Sequence, residues 1–243
     1  MLDRLPSPIV FAHRGASAHA PENTLEAFEL ASQQGADGIE LDVKLSADGI
    51  PVVIHDATVD RTTNGSGPVA DLELATLQKL DAGEGQRIPT LDEVFASLGG
   101  QLLINVELTN YKAPNDQLVE KVVEVIKKHD LSESILLSSF FSKNLKRAAN
   151  LLPKTPRGLL ALPGLLGGWA RTYGFRLGDY QALHPFYKNT TAQQIARAHR
   201  MGRRVHVWTV NAADQIHQLL GWGVDGIITD DPQLAVEIIG RAK

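Results

Sequence analysis

The stretch from Gly38 to Asp56, GIELDVKLSADGIPVVIHD, gathers two carboxylates and a histidine into one candidate hairpin. Ile39 to Val43 and Val52 to His55 read as strands, and the Asp48-Gly49 dipeptide suits a tight turn between them. In that register Asp42 faces His55. Side chains alternate across a strand, so Glu40 lies on the same face as Asp42. Glu, Asp and His presented together describe a reactive site rather than a packed core.

Such a hairpin needs a scaffold, and the rest of the chain supplies one. Apolar β-type runs alternate with amphipathic helical runs, the pattern of a parallel sheet wrapped by helices. The runs are Ile9 to Ala12, Gly38 to Asp42, Leu102 to Glu107, Ile135 to Ser139, Gly158 to Ala161, Ala182 to His184, Val205 to Thr209 and Gly226 to Thr229. Pro51 to His55 is left over as the hairpin return. Eight runs in this order predict a closed (β/α)8 TIM barrel forming a single domain over residues 1–243. Residues 56–89 are polar and glycine-rich, longer than an ordinary connection, with one short helix-like run from Leu74 to Leu80. They are expected to be a small insertion over the barrel mouth.

Helix starts are marked locally. Asn23, with Glu26 three residues on, is expected to cap the first helix, which Gly35 stops. Thr90 or Asp92 opens the helix before Leu102, Asn211 with Asp214 opens the penultimate helix, and Asp231-Pro232 opens the last. In Leu159 to Trp169, LLALPGLLGGW, the proline and glycines argue for a loop, apolar enough either to pack on the barrel or to meet a lipid-like substrate.

Composition narrows the function. The chain has 243 residues, a formal net charge of −4 and no cysteine. Lysines and arginines are scattered, so nucleic acid is not an expected partner. No stretch approaches membrane-spanning length and the first residues lack a signal-peptide core, so the expected setting is cytoplasmic, without stable membrane insertion.

In a barrel of this kind reactive groups come from the C-terminal ends of the strands. Those ends carry His13-Arg14, Glu40 and Asp42, Glu107, His184, Trp208 and Asp230, with His55 delivered by the hairpin. Three carboxylates converging in one mouth repel each other unless a cation lies among them, and oxygen ligands without cysteine point to Mg²⁺ or Ca²⁺. Two histidines flanking that cation, with an arginine beside one, fit in-line displacement at phosphorus. One imidazole removes a proton from the attacking oxygen and the other protonates the leaving oxygen. Trp208 is read as an aromatic wall against the alcohol group. Glu22 is either a helix-start acid or a partner that orients Arg14.

The sequence also resembles the glycerophosphodiester phosphodiesterase family, of the bacterial cytosolic type. The resemblance rests on His13-Arg14-Gly15, Glu22-Asn23-Thr24, Glu40-Leu41-Asp42, His55-Asp56 followed by Arg61-Thr62-Thr63-Asn64-Gly65, Trp208-Thr209-Val210-Asn211, and Asp225-Gly226-Ile227-Ile228-Thr229-Asp230. It implies a divalent cation held by Glu40, Asp42 and Glu107, acid/base work by His13 and His55, and phosphate binding by Arg14. The implied substrates are small glycerophosphodiesters such as glycerophosphocholine and glycerophosphoethanolamine, hydrolysed to sn-glycerol 3-phosphate and an alcohol. By analogy with related phosphodiesterases, the neighbouring glycerol hydroxyl can attack first, giving a cyclic phosphate that water opens. One position departs from the family pattern. Where the family places a phosphate-holding lysine, two residues after the ligand glutamate, this chain has Thr109, which offers a hydrogen bond without charge; either Lys112 reaches in from the following loop or Arg14 and the metal suffice. Two alternatives remain: head-group release from lysophospholipids, with the loop near Leu165 as discriminator, and a catalytically silent phosphodiester- or metal-binding module.

Overall fold

The computed structural model describes residues 6–241, apart from the side chains of Leu165 and Leu166. Its centre is a closed barrel of eight parallel strands: β1 (Ile9–His13), β2 (Gly38–Leu45), β4 (Leu103–Leu108), β5 (Ile135–Ser139), β6 (Arg157–Ala161), β7 (Ala182–Pro185), β8 (Arg204–Val207) and β9 (Gly226–Thr229). Closure comes from β1, which pairs with β2 on one side and β9 on the other. β3 (Pro51–Val53) returns antiparallel on β2. Most strand residues are buried, because one face meets the barrel interior and the other the surrounding helices.

The helices are α1 (Leu25–Gln33), α2 (Leu74–Leu77), α3 (Leu91–Leu98), α4 (Leu118–Lys128), α5 (Ser142–Leu151), α6 (Gly164–Trp169), α7 (Phe175–Leu177), α8 (Ala192–His199), α9 (Ala213–Gly221) and α10 (Pro232–Ile239). Local chemistry explains their starts. Thr90 and Glu93 form a reciprocal capping box on α3, and Asp231 caps α10 with Pro232 in its first turn. Two expected caps are not caps. Thr24, not Asn23, accepts from the Ala27 amide at the start of α1, and Ala212, not Asn211, occupies the cap position of α9. Both asparagines are turned towards the barrel mouth instead. Among the described residues no helix is long and apolar enough to cross a membrane.

The hairpin is built differently from the expected one. Val43 pairs with Val53 and Lys44 with Val52, a register one residue away from the pairing of Asp42 with His55. The cause is a wider turn: the Ser46 amide donates to the Ile50 carbonyl at 3.0 Å, while the Ser46 hydroxyl contacts Asp48 and receives the Ile50 amide. A one-residue slip moves side chains to the opposite face. Ile54 therefore meets Asp42 through its backbone, and His55 lies beyond the end of β3.

After His55 the chain passes through a 3-10 turn at Val69–Asp71 and α2 before reaching α3. Val52, Ile54, Val59, Val69, Leu77, Ala82 and Ile88 bury together as a small apolar cluster, separate from the clusters between strands and outer helices. The stretch after β6 also differs from expectation. It is helical through α6, a π-helical stretch Ala170–Gly174 and α7, rather than a loop. Pro163 precedes Gly164, outside the helix, where its missing N–H breaks no helical hydrogen bond. Leu165, the expected discriminator for lipid substrates, has its side chain outside the described residues.

Candidate active site

Strand alternation sorts the barrel interior into levels. Ile9, Phe11, Leu103, Leu136 and Ile228 form an apolar cluster inside the barrel, and Ile228 reaches the mouth cavity. Asn105, Ser138, His184 and His206 are buried polar strand residues, with His206 Nδ1 3.1 Å from His184 Nε2. Burial lowers the pKa of His184 to about 3, and burial followed by the neighbouring His184 and Arg204 holds His206 well below its ordinary value, so the pair is neutral. Room for the His184 ring exists because residue 158 is glycine: a Cβ there would lie 2.5 Å from the imidazole.

The mouth is shaped first by the turn after β1. Arg14 has φ +57° and Gly15 φ +84°, and a Cβ on Gly15 would lie 2.6 Å from the Ala27 backbone. Glycine is therefore required at that step. The turn aims the Arg14 amide at Glu40, with 2.9 Å to its carbonyl and 3.2 Å to Oε2. The Arg14 guanidinium donates through Nη1 to Glu22 at 2.9 Å, and its Nε lies 3.4 Å from Asp42 Oδ2.

Glu40, Asp42 and Glu107 come together because β2 and β4 are neighbours in register, with Asp42 beside Glu107. One oxygen from each lies within 4.8 Å of the others. Burial, followed by the charges of Asp42 and Glu107, holds Glu40 well above the usual carboxylate range. Burial and then Asp42 raise Glu107 to about 8, against the opposing hydrogen bond from Tyr111. A buried oxygen-only set that resists ionisation in this way fits a hard divalent cation, whose charge would offset the repulsion. These carboxylates are themselves held: Asn23 Nδ2 donates to Asp42 at 3.0 Å, and the Tyr111 hydroxyl donates to Glu107 at 2.7 Å.

The two histidines flank this cluster. His13 Nδ1 lies 2.6 Å from Asp230, and His55 Nδ1 lies 2.6 Å from Asp56. An ionised carboxylate only accepts, so each ring keeps its proton on Nδ1 and leaves Nε2 for chemistry. Asp230 is further held by Ser17 and Asn211. Asp56 is bound by Arg61, whose hydrogen bond holds its carboxyl well below the usual range. Arg61 also donates to both oxygens of Glu22 at 2.8 Å, so an ionic chain runs His55–Asp56–Arg61–Glu22–Arg14. Burial alone would raise Glu22, but the Arg61 hydrogen bond and the Arg14 charge prevail and lower it to about 2. Of its two sequence readings, the arginine partner is the one observed.

His13, Arg14, Glu40, Asp42, His55, Glu107 and Trp208 all line one central cavity of about 70 Å³. Trp208 contacts Phe140 and Phe186 edge-on or tilted, and its Nε1 donates to the His184 carbonyl at 2.7 Å, fixing the ring. Thr109 is not in this cavity. Its hydroxyl, expected to meet phosphate, donates to the Val43 carbonyl at 2.7 Å and accepts from Lys44 Nζ at 2.8 Å. Two larger cavities adjoin the centre: about 410 Å³ on the His13 side, with Ser17, Glu22, Asn211 and Asp230, and about 470 Å³ on the His55 side, with Lys44, Tyr111 and Lys112.

Sequence reasoning missed Asn23, Tyr111 and Lys44 as neighbours of the cluster. Lys44 was detectable, since it shares the strand face of Glu40 and Asp42; Tyr111 lies beyond β4 in a loop and carried no periodic signal.

Residues 13–234 match the model of the glycerophosphoryl diester phosphodiesterase family. A glycerophosphodiester phosphodiesterase of Caldanaerobacter subterraneus subsp. tengcongensis is 41% identical over 241 residues, covering 96% of this chain and 98% of that protein. One from Bacillus altitudinis is 36% identical, covering 96% and 99%. An Oleispira antarctica phosphodiesterase, solved in complex with the product sn-glycerol-3-phosphate, superposes with a TM-score of 0.84 at 34% identity, covering 96% of this chain and 97% of that one.

Proposed function

The chain belongs to the glycerophosphoryl diester phosphodiesterase family, and from that membership we propose that its mouth hydrolyses glycerophosphodiesters to sn-glycerol 3-phosphate and an alcohol by two-histidine acid/base catalysis with a divalent cation. It is an enzyme of the phosphoric diester hydrolase class, which removes the silent-module reading. The observation that carries the mechanism is the pair of carboxylate-held histidines on either side of one carboxylate cluster.

Glu40, Asp42 and Glu107 are the residues that would hold Mg²⁺ or Ca²⁺, which when bound neutralises charge on the phosphoryl oxygens. Arg14, braced by Glu22, binds a phosphoryl oxygen from the other side. The Nε2 of one histidine accepts the proton of the attacking hydroxyl, whether of water or of the neighbouring glycerol carbon. As the new phosphorus–oxygen bond forms, the bond to the leaving alcohol breaks, and that oxygen takes a proton from Nε2 of the other histidine. Asp230 and Asp56 keep both rings in the required tautomer and stabilise each imidazolium as it forms. Trp208 walls the alcohol group, Thr109 supports Lys44 rather than substrate, and residues 56–89 cover the mouth through Arg61.

The test is incubation with glycerophosphocholine and glycerophosphoethanolamine in Mg²⁺, Ca²⁺ or chelator, with sn-glycerol 3-phosphate read by a coupled assay. Product with metal and its loss in chelator are expected; no product under any metal condition sinks the reading.

A second reading, head-group release from lysophospholipids, is favoured by one feature. Trp169, Tyr173 and Leu177, 61%, 65% and 81% exposed, recur every four residues through the helical stretch after β6, with Leu162 nearby at 49%. This stretch follows the C-terminal end of a barrel strand, the mouth side, and an aromatic and apolar stripe there suits an acyl chain or lipid surface. Choline release from lysophosphatidylcholine, abolished in a Trp169→Ser/Tyr173→Ser variant that still cleaves glycerophosphocholine, is the expected result. Absence of choline release excludes it.

A further inference from the structure

Lys44 is the half-buried cation that the mechanism above leaves without a role. It lies on β2 two residues beyond Asp42 and on the same strand face, one step nearer the mouth. Its Nζ donates to the Thr109 carbonyl at 3.1 Å and the Thr109 hydroxyl at 2.8 Å, both neutral acceptors. Among the described residues no carboxylate oxygen lies within 4.0 Å of it, and the same is true of the exposed Lys112. An ammonium has three N–H donors, so one remains for a ligand.

Both lysines line the cavity of about 470 Å³ that shares His55 with the central cavity. The two acids on its wall are already committed. Asp56 is bound by His55 and Arg61, and Asp116 accepts from Asn110 at 2.6 Å and from the Leu118 amide at 3.0 Å. The chamber thus offers two unpaired cations and no free anion. Asp42, Glu107 and Asp56 attract the Lys44 ammonium across the mouth without touching it, so its remaining N–H is open to direct contact with a ligand anion.

We propose that Lys44 and the chamber it lines form an anion subsite continuous with the reaction centre, in which Nζ makes the second cationic contact to substrate. This rests on the phosphodiesterase reading and deepens it. The ligand group is an anionic oxygen, carried either by the phosphoryl group undergoing reaction or by a carboxylate on the alcohol moiety. Lys44 comes from β2, so the charge that Thr109 lacks is supplied from a neighbouring strand, with Thr109 holding the amine in place.

The experiment compares wild type, Lys44→Met, Lys44→Arg and Lys112→Met. Binding of sn-glycerol 3-phosphate is measured by calorimetry in a metal-containing buffer, and KM and kcat are measured for glycerophosphoethanolamine and glycerophosphoserine. Thermal unfolding of each variant reports folding. If the contact is to the phosphoryl group, Lys44→Met weakens sn-glycerol 3-phosphate binding about ten- to a hundredfold and raises KM for both substrates alike, as expected for loss of a hydrogen bond between charged groups. If it is to the alcohol's carboxylate, only the KM for glycerophosphoserine rises. In either case Lys44→Arg recovers part of the loss, and Lys112→Met, at the rim, has a smaller effect of the same kind. Wild-type binding and KM in Lys44→Met overturn the proposal. So does an equal loss in Lys44→Met and Lys44→Arg with a lowered unfolding temperature, which makes Lys44 a tie between strands. The calorimetric arm needs no turnover, so an inactive wild type would count against the function without deciding the subsite.

Discussion

His13 and His55 make the same hydrogen bond to a carboxylate, 2.6 Å from Nδ1, but they stand on different foundations. His13 ends a central strand paired on both sides, its side chain is 18% exposed, and Asp230 is fixed by Ser17 and Asn211. His55 lies beyond the short β3, is 43% exposed, and depends on Asp56, Arg61 and Glu22, with a small apolar cluster behind them. One half of the proposed acid/base pair is therefore built into the barrel, and the other is carried by a segment with an apolar cluster of its own. The proposed mechanism therefore predicts unequal sensitivity to distant changes but equal importance to the reaction.

The largest effects test the equality. His13→Ala and His55→Ala are each expected to lower kcat about 10²- to 10⁴-fold, measured by sn-glycerol 3-phosphate release. A loss confined to one variant breaks the symmetry of roles. Next come the carboxylates: Asp230→Asn and Asp56→Asn should each lower kcat about 10- to 100-fold through loss of ring orientation. The unequal foundations are tested by Leu77→Ala, a truncation in the small cluster with an expected local destabilisation of about 2–5 kcal/mol. Hydrogen exchange should quicken across residues 56–89 while β1 and β9 stay protected; equal quickening in the barrel would contradict the separation. Arg61→Met should produce a weaker version of the same pattern.

The smallest effect is acid stability. The Glu22 carboxyl is lowered from 4.5 to about 2 in the folded chain, so its contribution is fully present above pH 4.5 and is lost as pH falls towards 2. The gap in unfolding temperature between wild type and Glu22→Gln should accordingly narrow as pH falls from 6 to 3, as read by circular dichroism. A gap that is flat or widens in acid breaks the assigned link between the two halves.

What the sequence disclosed follows the same division. Buried strands announce themselves as apolar runs, so the barrel and the residues at its strand ends were legible. The hairpin return was not, because Asp48-Gly49 implied a tighter turn than the one Ser46 organises, and a single residue of register decides what faces Asp42. Asn23 and Thr24 are both good caps by type, and only the fold shows that Asn23, with φ +58°, turns to Asp42. Pro163 read as a breaker when its place was just ahead of a helix. Lys44 follows from strand alternation, which puts it on the same face of β2 as Asp42.

The most direct test of two-histidine catalysis compares His13→Ala and His55→Ala on glycerophosphoethanolamine and on a p-nitrophenyl ester of glycerol 3-phosphate, whose leaving group needs no proton. One variant, the one lacking the acid, should regain most of the wild-type kcat on the nitrophenyl ester while the other stays impaired. Recovery in both or in neither would contradict the division of acid and base between these two residues.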